Sequence, residues 1–350
     1  MEHHGNKLGA KPSVRATAAS MVGAGLLLIS AATHAACSIT GPTQPNSGPH
    51  GSNYANTGYT RTAFTSEGAT NYIFQPSPLP ANPLPVVAFL HGYSFIASGA
   101  LDQNIGQVIH LARKGYIVVW PQFQPSTFTL PSTFESRAAG QIKAGLAYLA
   151  ANPATMAQAA RHADGSIKFG LAGYSVGGAT AINLAANYLA NGIPRPRALA
   201  TIEANNGGGT TTPMRNASTI PADANVLMLM AEGDDANTLK TSSDAWNQIP
   251  QIPASNKQWI GVYSDAHPNC TDENLVADHG WPLASAKNLD ALDYFGGYKW
   301  VTALFNYTFN GSDYDYWRGN GISQNAMGTW SDGIEIRQAV GSQTAFWPNH

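Results

Sequence analysis

The sequence contains few charged residues. Only 11% of its 350 residues are Asp, Glu, Lys or Arg, and the formal net charge is −2. Proteins that bind nucleic acid through its phosphates need a basic surface, so the composition argues against that class of function. With 10% aromatic residues, it favours a surface that tolerates weakly polar partners.

Long apolar runs are also scarce. Residues 21–32 form one such run, which is too short for a membrane-spanning helix of roughly 20 residues. A basic segment with Lys7, Lys11 and Arg15 precedes the run, and small residues up to Ala36 follow it. This order is that of a signal peptide, predicted over residues 1–36. We expect a secreted or periplasmic protein that is not transmembrane.

The chain has only two cysteines, Cys37 and Cys270. No cluster of His, Cys and carboxylate residues has the spacing of metal ligands, so neither a metal nor an organic cofactor is predicted. In an exported protein the two cysteines predict a disulfide. Two alternatives stay open: free thiols, or a lipoprotein acylated at Cys37, although His34 stands where such signals usually carry Leu.

What the chain does contain is an alternation of strand and helix patterns. Strands are predicted at residues 60–64, 71–74, 85–90, 116–120, 167–172, 198–203, 225–230 and 258–263, and helices at 101–113, 136–151, 178–189 and 286–308. Such alternation predicts an α/β fold with a mostly parallel twisted sheet and helices on both faces. Active residues are then expected at the carboxyl ends of the strands.

No repeat or linker divides residues 37–350. We expect one domain and a monomer. Its aromatic-rich C-terminal extension, at about residues 310–350, is predicted to pack over the core.

The most informative motif is Gly-Tyr-Ser-Val-Gly at residues 173–177, which fits Gly-x-Ser-x-Gly. A nucleophilic serine must stand on a sharp turn between a strand and a helix, and the flanking glycines remove Cβ atoms that would collide there. The motif lies between the strand at 167–172 and the helix at 178–189. Ser175 is therefore the predicted nucleophile of a serine hydrolase.

Two backbone donors must stabilise the oxyanion that such a nucleophile creates. One is the amide of Val176, which follows the nucleophile. The second is expected in the loop after the strand at 85–90, where Gly92 lets the backbone turn inward and makes the N–H of Tyr93 the natural donor. His91 is interpreted as a structural residue of this loop.

The acid and the base should follow in the chain order Ser, Asp, His. After the strand at 225–230, Asp234 is the predicted acid, with Asp235 as its alternative. After the strand at 258–263, His267 is the predicted base. His279 is the alternative, and its position more than a dozen residues beyond the strand makes it second choice.

With these residues the chain resembles the α/β-hydrolase superfamily over residues 71–305. The nearest resemblance is to the dienelactone-hydrolase-like branch with bacterial cutinases and polyester (PET) hydrolases. It depends on residues 91–93, 173–178, 232–234 and 264–267. The resemblance implies a carboxylic ester hydrolase with Ser175, Asp234 and His267 as catalytic triad and Tyr93 and Val176 as oxyanion donors.

One departure concerns the polyester assignment. In polyester hydrolases the equivalent of Tyr93 stacks on the aromatic ring of the substrate, and a Trp in a second loop stacks on it as well. This chain reads Glu-Ala-Asn-Asn in that second loop, at residues 203–206. A second stacking residue to complete such an aromatic clamp would have to come from elsewhere, such as Trp281. We expect a secreted serine esterase whose ester substrate is small or polymeric. Two alternatives on the same fold are an acyltransferase and a non-catalytic binding protein.

Overall fold

The computed structural model describes residues 37–94, 101–207, 213–270, 274–283 and 289–347. The predicted signal peptide lies outside the described residues. From Cys37 onward the described chain belongs to one compact unit. Within these ranges no helix has the length and apolar character needed to span a membrane.

The core of the fold is a nine-stranded sheet with the order β1-β2-β4-β3-β5-β6-β7-β8-β11. Its strands are β1 (Gly58–Ser66), β2 (Ala69–Ser77), β3 (Val86–Leu90), β4 (Ile117–Trp120), β5 (Phe169–Tyr174), β6 (Ala198–Ile202), β7 (Asn225–Ala231), β8 (Lys257–Val262) and β11 (Val340–Ser342). Six neighbouring strands of the sheet are parallel: β4, β3, β5, β6, β7 and β8. At the two edges, β1, β2 and β11 pair antiparallel. β9 (Asp265–Ala266) and β10 (Asn274–Leu275) form a separate ribbon.

Helices connect the parallel strands, as the sequence pattern predicts. The described α-helices are α1 (Ile105–Arg113), α2 (Phe134–Ala151), α3 (Val176–Ala186), α4 (Tyr188–Asn191), α5 (Ala236–Asn247), α6 (Lys299–Asn310), α7 (Tyr314–Trp317) and α8 (Ile322–Asn325). A π-helix, Asp293–Tyr298, precedes α6. The predicted mostly parallel α/β sheet is confirmed, whereas α5 and β11 were not expected from the sequence.

The apolar run of β3 shows why the central strands lack alternation. Val86, Ala88 and Leu90 belong to one hydrophobic cluster, and Val87 and Phe89 belong to another. Because neighbouring residues of a strand point to opposite faces, both faces of the sheet are covered by helices and every position must be apolar.

The long helix predicted at residues 286–308 is different in the structure. Its described part is a π-helix followed by α6, and Gly296 lies in the π-helix against the ring of Trp281. A Cβ on Gly296 would lie 3.3 Å from that ring. The missing side chain therefore lets the Trp281 ring approach the backbone closely.

The C-terminal extension packs over the core, as its aromatic composition predicts. Trp317 and Trp330 are buried in the hydrophobic cluster on one face of the sheet. The strand β11 extends the sheet by pairing antiparallel with β8.

A disulfide joins Cys37 to Cys270 across 233 positions of sequence. The predicted disulfide is thus confirmed. It fixes the start of the described chain to the segment between β9 and β10.

Candidate active site

Ser175 occupies the sharp turn that its motif predicts. It lies between β5 and α3 with φ 54° and ψ −124°, a left-handed conformation rare for residues with a side chain. A Cβ on Gly173 would lie 2.3 Å from the carbonyl oxygen of Gly177, and one on Gly177 equally close to that of His91. Glycine is therefore required at both positions, and the backbone presents the Ser175 hydroxyl beyond the end of the strand.

His279 is the histidine that contacts Ser175. Its Nε2 lies 2.8 Å from the Ser175 Oγ, and its Nδ1 lies 3.0 Å from both carboxylate oxygens of Asp234. A neutral imidazole with its proton on Nδ1 donates to the carboxylate and accepts from the hydroxyl. The three side chains therefore have the hydrogen-bond arrangement of a Ser-His-Asp triad.

The prediction of His267 as the base is wrong. The His267 side chain is buried and does not contact the sharp turn at Ser175 (the nucleophile elbow). Its Nε2 lies 3.0 Å from Asp332, and its Nδ1 accepts from the N–H of Asn269. Its ring also packs edge-on against Trp330. His267 is therefore a buried, hydrogen-bonded residue beneath the C-terminal extension.

The reason for the error is the ribbon formed by β9 and β10. The chain leaves the sheet after β8, passes His267 and Cys270, and returns antiparallel at β10. The N–H of Ala277 then donates to the Ser264 Oγ at 3.0 Å, so the two ends of this excursion meet. His279 consequently lies near the end of the strand in space although it is far from it in sequence.

The two neighbouring aspartates have different roles. Asp234 is buried and faces His279, whereas Asp235 is the N-cap of α5 and accepts from the N–H groups of Asn237 and Thr238. The carboxylate of Asp234 also accepts the N–H of Asp235 at 2.6 Å. The structure thus brings together Ser175 and Asp234 as predicted, and of the two aspartates it is Asp235 that caps a helix.

The two predicted oxyanion residues lie beside Ser175. Val176 is the first residue of α3, where amide groups have no partner inside the helix, and it lines one cleft with Tyr93 and Ser175. Gly92 packs against the Tyr174 ring so closely that a Cβ would lie 2.7 Å away.

His91 is structural, as expected. It is fully buried and stacks on Phe123, and burial lowers its pKa to about 4. A buried, neutral imidazole in this position supports the loop and cannot reach the cleft.

Residues 50–217, just under half of the chain, match a family model described as Chlorophyllase. This is a family of the α/β-hydrolase type, and the sheet described above agrees with that fold. The chain has an α/β-hydrolase-type fold. No curated protein matches it. The matched segment includes the elbow and the Tyr93 loop, and at a coarse level it makes this hydrolase an ester hydrolase.

Asp234 and His279 lie outside the matched segment, because both follow residue 217. Their arrangement as acid and base depends on the hydrogen bonds between Ser175 and His279 and between His279 and Asp234. Two of these three residues are therefore on elements that the family model does not cover.

The hydrolase has an open cleft of about 600 Å³ above Ser175. The cleft is lined by Tyr93, Gln103, Pro131, Tyr174, Ser175, Val176, Asn205, Gly207, His279 and Leu283. Most of the surface that lines the cleft is apolar, and Phe128 is 91% exposed on the neighbouring loop. Such a cleft suits an uncharged substrate with apolar parts.

Sequence reasoning missed Tyr174 as a functional residue. Its hydroxyl donates to the carbonyl of His279 at 2.5 Å, and the two rings lie 5.3 Å apart. Tyr174 therefore supports the loop that carries the base. Its place directly before the nucleophile was the signal that could have identified it.

Glu203 is the second residue that sequence reasoning missed. It is fully buried after β6, and its Oε2 lies 3.7 Å from the His279 Nδ1. Burial, with the nearby charge of Asp234, raises its pKa well above the usual value. Its Oε1 accepts the indole N–H of Trp281 at 2.7 Å. Trp281 is itself buried, so the proposed aromatic clamp at Trp281 is wrong.

Among the described residues, one group of side chains could hold a metal ion. The ligand atoms of Glu203, Asp234 and His279 all lie within 4.8 Å of one another. A metal there would take the His279 Nδ1 lone pair and displace the proton that bonds Asp234. The hydrogen bond that the Ser175 hydroxyl donates to His279 Nε2 favours a catalytic triad over a metal site for these side chains.

Proposed function

We propose that this protein is a secreted serine carboxylic ester hydrolase with Ser175, His279 and Asp234 as its catalytic triad. The observation that carries the proposal is the continuous hydrogen-bonded path from the Ser175 Oγ through both nitrogens of His279 to Asp234. The ester-hydrolase character of the matched family supports the reaction class.

In the proposed acylation step, the Ser175 Oγ attacks the ester carbonyl carbon while the His279 Nε2 takes the hydroxyl proton. The negative charge that develops on the carbonyl oxygen is stabilised by the N–H groups of Tyr93 and Val176. The ester C–O bond then breaks, and His279 returns the proton to the leaving alcohol.

In deacylation a water molecule attacks the acyl-enzyme. His279 accepts the proton of the water, the second tetrahedral intermediate collapses, and Ser175 regains its proton as the carboxylic acid leaves. Asp234 keeps the imidazole in the tautomer that both steps need and stabilises the imidazolium.

The first test is hydrolysis of a p-nitrophenyl short-chain ester with covalent labelling by an organophosphate. We expect release of p-nitrophenol and one adduct whose mass maps to Ser175. The variant Ser175→Ala should lose both signals while keeping the wild-type melting temperature. Hydrolysis at the wild-type rate by Ser175→Ala would contradict the proposed function.

A finer candidate substrate is a polyester of the kind cleaved by cutinases and PET hydrolases. The open apolar cleft with Tyr93 on one side and the exposed Phe128 nearby favours it. The test compares product release from a polyester film with hydrolysis of a soluble ester by the same enzyme. Wild-type turnover of the soluble ester with no release from the film restricts the substrate to small esters.

The acyltransferase alternative differs only in the acceptor that attacks the acyl-enzyme. Product analysis with an added alcohol separates the two activities, because a transferase forms a new ester where a hydrolase forms the free acid. Export is part of the proposal and is supported by the leader pattern in the sequence and by the disulfide between Cys37 and Cys270.

A further inference from the structure

Two carboxyl groups lie on the Nδ1 side of His279. Asp234 is 3.0 Å from that nitrogen, and the Oε2 of Glu203 is 3.7 Å from it. A triad needs only one carboxylate there. The second carboxyl comes from a different strand end, β6, whereas Asp234 follows β7.

The backbone conformation and hydrogen bonding of Glu203 fix the position of its side chain. The residue adopts φ 51°, a left-handed conformation that costs free energy for a residue with a side chain. Its N–H donates to the carbonyl of Leu229 at 2.9 Å, and its side chain is fully buried. Such a strained and buried carboxyl would be costly without a role beside the triad.

The Trp281 indole fixes one oxygen of this carboxyl and leaves the other towards the imidazole. The Oε1 accepts from Trp281, while the Oε2 is buried and has no hydrogen-bond partner among the described residues. Trp281 is in turn held by the π-helix, where Gly296 gives its ring room.

The charged and titratable groups around Glu203 influence the pKa of its carboxyl group. Asp234 and Asp278 raise its pKa by their negative charge in addition to burial, and His279 lies 3.7 Å away. Tyr174 faces it from β5, where burial is the main cause that raises the pKa of the phenol. Burial and these charges therefore favour the neutral form of Glu203 while Asp234 is a carboxylate.

Building on the proposed triad, we infer that Glu203 is a reserve carboxylate partner for His279, which replaces Asp234 beside the imidazole when Asp234 is removed. In Asp234→Ala the neighbouring negative charge is gone, and the imidazolium formed during the reaction favours ionised Glu203. A movement of less than about 1 Å shortens the 3.7 Å separation to a hydrogen bond.

The test compares kcat/KM for a p-nitrophenyl ester in wild type and four variants. Glu203→Gln keeps an acceptor for Trp281 and should stay within about 3-fold of wild type. Asp234→Ala should lose about 10²-fold, and Asp234→Ala/Glu203→Gln about 10⁴-fold, the loss typical of a triad without its acid. The matched control is Asp234→Ala/Glu232→Gln, which should equal Asp234→Ala because Glu232 contacts Arg337 and not His279.

A second readout is independent of the size of these losses. A carboxylate beside the imidazole favours its protonated form, so the acid limb of kcat/KM against pH should lie at higher pH in Asp234→Ala than in Asp234→Ala/Glu203→Gln. A purely structural role of Glu203 would not move that limb. Melting temperatures identify any variant that has not folded.

Equal rates for Asp234→Ala and Asp234→Ala/Glu203→Gln, or an acid limb at the same pH in both variants, would overturn this inference. The proposed function would survive either result, because it fails only if Ser175→Ala retains hydrolysis.

Discussion

The N–H of Gly233 donates to the carbonyl of Ala277 at 2.8 Å. Gly233 also forms a parallel bridge with Asp278. These residues come directly before Asp234 and His279, so the main chain itself joins the loop of the acid to the loop of the base. The separation between carboxylate and imidazole is therefore set by backbone hydrogen bonds as well as by the side chains.

Gly233→Ala should reduce kcat/KM by at least about 10-fold, because displacement of a catalytic group by 1 Å can cost 10²-fold. The added Cβ would lie 2.8 Å from the Ala277 carbonyl oxygen and would push the two loops apart. The control is Gly321→Ala, where the Cβ meets nothing within 4 Å. Steady-state kinetics of both variants give the answer, and unchanged kcat/KM in Gly233→Ala would show that the loops are not coupled in this way.

Tyr174→Phe should lower kcat/KM by about 5- to 10-fold, the value of one neutral hydrogen bond. The phenol supports the His279 carbonyl at 2.5 Å in a half-buried position. Tyr314→Phe serves as the matched control, since its hydroxyl accepts from Arg318 at 3.3 Å in an exposed position outside the cleft. Kinetics with a soluble ester should show the larger loss for Tyr174→Phe. Equal losses in the two variants would argue against a special role for the Tyr174 hydroxyl.

Reduction of the disulfide should destabilise the protein by about 4 kcal/mol, because it closes a very long loop. Thermal melting with and without reductant measures this effect. Cys37→Ser/Cys270→Ser should melt at the temperature of the reduced wild type and should not respond to reductant. A wild-type melting temperature that reductant leaves unchanged would contradict the prediction.

The stability of the protein should depend on pH through Asp293. Burial, together with the charge of Asp290, raises the pKa of Asp293 to about 8. The folded state therefore binds the proton more tightly than the unfolded state, and this contribution is present below pH ~4 and is lost as the pH rises towards 8. Asp293→Asn removes the ionisation but keeps an acceptor for the N–H of Asp290.

Urea unfolding at pH 5 and pH 8 measures the difference. Wild type should lose a few kcal/mol more than Asp293→Asn between these two values. Parallel losses in the two proteins would show that Asp293 does not carry the effect.

The sequence alone was sufficient for the elements with local signals. The sharp turn at Ser175 is specified by two glycines that the backbone contacts demand, and continuous apolar runs identify strands buried on both faces. Asp234 comes shortly after a strand, so its place at the carboxyl edge of the sheet could be predicted from the sequence.

The base could not be identified from sequence, because its position depends on a long excursion that returns on itself. His279 is far from β8 along the chain, so it was expected to lie far from Ser175. The pairing of β9 with β10 returns the chain and brings His279 back to the sheet. Glu203 and Trp281 could not be identified from the sequence for the same reason, because their positions near the imidazole depend on packing between distant elements. Such contacts leave no periodic pattern in the local sequence.

In the proposed mechanism His279, and not His267, is the general base that acts on Ser175. This assignment is tested by kcat/KM of His279→Asn and His267→Asn with one soluble ester, corrected for the folded fraction of each protein. We expect a loss of about 10⁴-fold for His279→Asn and near wild-type activity per folded molecule, with lower stability, for His267→Asn. A folded His279→Asn that hydrolyses the ester at the wild-type rate, or a folded His267→Asn that does not, would contradict it.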